Sequence, residues 1–90
     1  MELGWDELAD QQMAALETQG PTNVVEAVGR TLARLELDPF DPKLGTRQFT
    51  SANYGHVRAT TVHSTDWTVL WTLGEGDDWI LIIAIGQYSL

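Results

Sequence analysis

Seven consecutive apolar residues, Trp79-Ile-Leu-Ile-Ile-Ala-Ile85, constrain this chain more than any other stretch. The run is too short to span a membrane and too rich in β-branched side chains to favour a helix. A strand buried on both faces, with neighbours on either side, accommodates it best. Upstream, Trp67-Thr-Val-Leu-Trp-Thr-Leu73 alternates, with Trp67, Val69 and Trp71 on one face and Thr68 and Thr72 on the other. Between the two, Gly74-Glu-Gly-Asp-Asp78 supplies the glycines and carboxylates of an exposed hairpin loop. The rest of the chain has to be arranged around this hairpin.

Residues 2–5 suit a short first strand. A helix is predicted over 6–18, where Trp5, Leu8, Ala9 and Leu16 share a stripe that Gln12 interrupts, with Asp6, Glu7 and Asp10 at its N-terminal end. Gly20 is suited to a left-handed cap and Pro21 to opening the next helix. That helix is predicted over 21–37, with Val24, Val28, Thr31 and Leu35 facing inward and Asn23 and Glu26 at capping-box spacing. Arg30 and Arg34 point away from this stripe, as cations on a solvated face near a helix C-terminus do. Asp38-Pro-Phe-Asp-Pro42 ends the helix, because a residue before proline avoids the helical region. Strands are predicted over 47–51 and 56–62, the second with His56, Arg58 and Thr60 on one face. The expected fold is α+β: one domain over residues 1–90, with an N-terminal helical hairpin packed on one face of a small antiparallel β-sheet. The other sheet face is left for solvent or a partner.

Composition narrows the function. Thirteen acidic residues against five basic ones leave a formal net charge of −8. This opposes broad binding to nucleic acid, which relies on Lys and Arg to neutralise phosphates, and it suits solubility or a basic partner. All five cations lie between residues 30 and 58. With no cysteine there is no disulfide, thiolate metal site or thiol nucleophile. The start resembles no signal peptide and no segment is long enough to span a membrane, so a cytoplasmic location is expected. His56 and His63 are seven residues apart, fall on opposite faces of a regular strand and have no carboxylate cluster beside them. Neither a metal nor any other cofactor is therefore expected, and no phosphate-binding glycine loop or nucleophile elbow is present.

Two groups of residues remain as candidates. Arg58 with His56 and Tyr88 form a candidate catalytic set, in which an Arg holds a phosphate and a His or Tyr moves a proton. Arg47 and His63 are added as binding residues. Simple solvation of Arg58 and packing of Tyr88 explain the same pattern without chemistry. Trp67 and Trp71 are either core beneath the helices or, if the register turns them outward, a protein-binding hot spot.

The order of these features resembles the RelE/ParE superfamily of type II toxin–antitoxin toxins. The points of likeness are the helical hairpin, the exit Leu35-Glu-Leu-Asp-Pro39, a middle strand carrying Arg58, the strand Trp67-Thr-Val-Leu-Trp71, and a last strand ending Gly86-Gln-Tyr88. In that superfamily the penultimate strand commonly reads Tyr-Arg-aliphatic-aliphatic-Tyr, so Thr68 stands at an Arg position here. Tyr88 likewise stands where the final strand often carries Arg. The resemblance implies a toxin that inhibits translation or DNA gyrase, with a cognate antitoxin as partner and the ribosome with its mRNA, or gyrase, as target. With those Arg positions replaced, it implies action mainly by binding through the open sheet face. The alternatives are a ribosome-dependent mRNA endoribonuclease with a substituted site, and a non-toxic acidic accessory or inhibitor protein that covers a basic partner.

Overall fold

The computed structural model describes residues 1–88. In chain order its elements are β1 (Glu2–Trp5), α1 (Glu7–Gln19), α2 (Thr22–Leu37), a 3-10 turn (Pro42–Leu44), β2 (Arg47–Ser51), β3 (Gly55–Thr61), β4 (Thr68–Leu73) and β5 (Trp79–Gly86). The strands form one sheet in the order β1-β5-β4-β3-β2. From β2 to β5 it is the expected antiparallel meander. β1 pairs parallel with β5, from Glu2 opposite Trp79 to Trp5 opposite Ile82, so the sheet is mixed and not purely antiparallel. A parallel pair needs a long connection, and the whole chain from α1 to β4 lies between these two strands. Among the described residues, no helix is long and apolar enough to cross a membrane.

Both helices contribute to one core on one side of the sheet. α1 gives it Ala9 and Leu16, α2 gives Val28, Leu32 and Leu35, and the sheet gives Val62, Val69, Trp71, Ile80, Ile82 and Ile85. Trp71 is wholly buried; its indole N–H donates to Thr60 Oγ1 at 2.9 Å, and Thr60 Oγ1 lies 2.7 Å from Thr46 Oγ1. The polar atoms carried into this core are thereby satisfied, which buried groups require.

Several local expectations change. Leu8 is 52% exposed, whereas Gln12, the apparent flaw in the α1 stripe, is partly buried and bonded. Its Oε1 accepts the Ile85 N–H at 2.7 Å and its Nε2 donates to the Tyr88 hydroxyl at 3.1 Å. β1 stops opposite Ile82, so the Ile85 amide has no strand partner on that side, and Gln12 takes the place of one. Gly20 has φ −79°, an extended conformation and not a left-handed cap. Glycine is needed there because a Cβ would stand 2.5 Å from the Leu16 carbonyl oxygen, which the helix holds in place. Pro21 is the N-cap of α2, and its carbonyl accepts from the Val24 and Val25 amides. Asn23 therefore lies inside the helix and the expected capping box does not form.

A β-bulge at Leu70/Trp71 has wider consequences. Leu70 pairs with Ala84 but Trp71 with Ile82, which leaves Ile83 as the extra residue on β5. Ile80, Ile82 and Ile85 then join the helix-side core, while Ile83 and Ala84 both belong to the opposite face.

The β2–β3 turn is tied to α1 by the Tyr54 hydroxyl, which donates to Asp6 Oδ2. This hydrogen bond, with smaller contributions from desolvation and the Asp6 charge, raises the Tyr54 pKa above the ordinary 10.0. A raised value means that the folded state favours the protonated phenol. The stabilisation is complete below the ordinary tyrosine range and is lost as pH rises through the folded-state value. In an ultraviolet tyrosinate titration, Tyr54 should ionise later than in the urea-unfolded chain, and Tyr54→Phe should remove that late step. Ionisation at the unfolded value would show that the tie does not hold in solution.

Candidate functional site

The sheet face turned away from the helices is built by strand pairing. Arg47 and Phe49 of β2 lie opposite Ala59 and Val57 of β3. Ala59 faces Leu70 of β4, which in turn pairs with Ala84 of β5. Val57, Ile83 and Ala84 form a buried cluster on this face, with Leu70, Leu81 and Tyr88 packed around it. From β2 to β5 the one charged side chain at these positions is Arg47, at the outer strand. The face is thus apolar at its centre, with a cation at its rim.

The expected catalytic set does not assemble. Arg58 pairs with Gln48 and Trp71, which places it on the helix side. Its guanidinium lies 5.4 Å from the Trp71 ring centroid and 5.7 Å from that of Phe40, a cation–π stack at the margin of the core. His56 shares that side by alternation and is exposed at the start of β3. Tyr88 follows β5, with its ring against Gly86 and the open-face cluster and its hydroxyl bonded to Gln12 of α1. β4 lies between β3, which carries Arg58 and His56, and β5, past whose end Tyr88 sits.

The proposed binding residues also divide. Arg47 is exposed on the open face. His63 lies in the β3–β4 turn and lines a cleft with Arg34 and Lys43. Trp67 is partly buried against the helix-side core and Trp71 is fully buried within it, so neither is presented on the open face. The core alternative for the two tryptophans is the one realised.

Solved structures share this architecture. A YoeB/ParE toxin from Agrobacterium tumefaciens superposes with a TM-score of 0.78 at 9% identity, over 99% of this chain and 100% of the other. The YoeB dimer from Staphylococcus aureus gives 0.74 at 11% identity, over 100% and 98%. A chain of the archaeal RelE–RelB complex from Pyrococcus horikoshii OT3 gives 0.70 at 15% identity, over 96% and 92%. The chain has the RelE/ParE toxin fold. No family model matches the sequence, and no curated protein matches it significantly.

Within this RelE/ParE fold, the residues that sequence reasoning overlooked are those forming the open face: Phe49, Val57, Leu70, Leu81 and Ile83. A signal for them was present. Val57 and Ala59 alternate with Arg58 and Thr60, so β3 carries apolar side chains at the parity opposite to its Arg. The run 79–85 likewise has apolar residues at both parities. Both facts point to a second apolar surface, apart from the one the helices cover.

Proposed function

We propose that this chain is the toxin component of a type II toxin–antitoxin module, inhibiting translation or DNA gyrase mainly by binding through its open sheet face. The observation that carries this reading is the apolar open face, where Phe49, Leu70 and Leu81 stay accessible around the buried Val57, Ile83 and Ala84 and Arg47 supplies the cation. Cleavage of RNA calls for positive groups that stabilise charge at the scissile phosphate. Thr68 and Tyr88 stand at the positions where the resemblance would put Arg, and Arg58 lies across the sheet. These placements favour binding over an endoribonuclease mechanism. Two of the similar structures are toxin–antitoxin complexes, RelE–RelB and RelBE, which supports a cognate antitoxin as partner. Two placements suit an antitoxin segment best: across the open face, or along the outer side of β2, an edge strand of the sheet beside the Arg47 rim.

Inducible expression in a bacterial host tests the reading. Growth should stop, transcripts should remain full length, and co-expression of the antitoxin from the neighbouring gene should restore growth. Normal growth with abundant folded protein would reject it. At the molecular level, Leu81→Glu places a charge on the partly buried open face and should weaken antitoxin binding about tenfold or more. Calorimetry would measure this, with circular dichroism verifying the fold. Unchanged affinity would remove the open face from the interface.

A further inference from the structure

Arg30 and Arg34 lie one turn apart on α2, Lys43 sits in the 3-10 turn, and His63 projects from the β3–β4 connection. These three elements converge. Arg34, Lys43 and His63 line a cleft of about 250 Å³ together with Thr61 and Ser64. Arg30, Arg34 and His63 line an adjoining cleft of about 120 Å³. The two share Thr31, Arg34 and His63, and so form one groove. Among the described residues no Asp or Glu lines either part, although the chain carries 13 of them.

The end of a helix attracts cations, and this accounts for Arg34 in the last turn of α2. It does not account for Lys43 and a histidine being brought beside Arg34 from two other elements. Gathering the cations Arg30, Arg34 and Lys43 is unfavourable, and it is unexpected in a chain with acidic residues to spare. An oxyanion seated among them reverses the sign of that interaction. A guanidinium supplies paired N–H donors, an ammonium supplies a compact charge, and the imidazole and Ser64 hydroxyl reach the remaining oxygen lone pairs. A phosphoryl group presents three or four such oxygens at one point, which matches donors that converge on one small cleft. The carboxylates of an acidic peptide would be spread along a chain.

We propose that the Arg30/Arg34/Lys43/His63 groove is a binding site for a phosphoryl oxyanion, on the helix side of the molecule and independent of the open sheet face. The oxyanion belongs either to a free phosphate compound or to the phosphodiester backbone of a nucleic acid.

The test is a heteronuclear NMR titration of the full chain with sodium phosphate, against sodium chloride at matched ionic strength. Phosphate should give saturable shifts at the Thr31, His63 and Ser64 amides that chloride does not reproduce. Arg34→Gln should weaken this binding about tenfold, and Lys43→Gln, a second exposed position, carries the same expectation should the first variant fold poorly. Arg47→Gln, on the other sheet face, should leave the affinity unchanged. Titrations with adenosine monophosphate, hexauridylate and hexaglutamate then identify the source. Tighter binding of hexauridylate than of the nucleotide assigns the backbone, and the reverse order assigns a free compound. The proposal is overturned by any of three results: no saturable shift up to ~50 mM phosphate, binding unchanged in both groove variants, or hexaglutamate binding more tightly than either phosphate ligand.

Discussion

Trp71→Ala is expected to destabilise the fold by about 3–5 kcal/mol, the range for removing a large aromatic side chain from a packed core. Trp71 is 0% exposed and heads the fully buried side chains by volume. It packs with residues of both helices and of β5, and on its outer margin the Phe40 ring centroid lies at 6.5 Å and the Arg58 guanidinium at 5.4 Å. The cavity would therefore open where the helices, the sheet and the loop after α2 meet. Stabilities of small proteins are about 5–15 kcal/mol, so the urea midpoint followed by far-ultraviolet circular dichroism should fall steeply. Thr60→Val isolates the polar part of the same site. It removes the acceptor of the indole N–H without opening a large cavity, and should cost about 1–3 kcal/mol. A loss below ~1 kcal/mol for Trp71→Ala would mean that the indole is not buried under the helices, and the face assignment of β4 would fall with it.

The second large effect is expected at Gly74. A Cβ there would stand 1.9 Å from one ring carbon of Trp79 and 2.3 and 2.4 Å from two others. Across the neighbouring strand, a Cβ on Gly4 would come within 2.6 Å of the same ring. The indole thus lies against two glycine backbones, and its N–H donates to the Glu75 carbonyl at 3.0 Å. One added methyl forces the ring to move and that hydrogen bond to break. Gly74→Ala should cost about 1–3 kcal/mol, the usual range for overpacking. Gly4→Ala should act in the same direction. The double variant should lose less than the sum, because both methyls displace one ring and the second meets a slot already vacated. Urea denaturation of the three variants measures this, and additive losses would show that the two glycines do not serve a common side chain.

These sites also show what was legible in advance. The hairpin of β4 and β5 was readable because a run of alternating tryptophans and threonines, a glycine-rich turn and a β-branched apolar run each have one easy conformation. The helices were readable to within about a residue from proline and glycine punctuation and from the spacing of Val24, Val28 and Leu35. Gln12 was misread as a defect, since its value depends on an unpaired amide on a strand 73 residues away. The candidate site was only half visible. Alternation grouped His56 with Arg58, yet it carries no information on which side of the sheet that pair lies.

The local code of the chain decided which segments become helix or strand, where each turns, and that cysteine chemistry is not available to it. Those outcomes depend on short-range sterics, side-chain branching and composition, all of which act over a few residues. Pairing between distant segments decided the remainder: the parallel docking of β1 beside β5, the bulge that sends Ile83 and Ala84 to the same side, the placement of Arg58 over Trp71, and the meeting of Arg34, Lys43 and His63. A strand's parity is intrinsic, but its orientation toward the helices is set only when partners are chosen, and one extra residue in β5 is enough to change which side chains a partner meets.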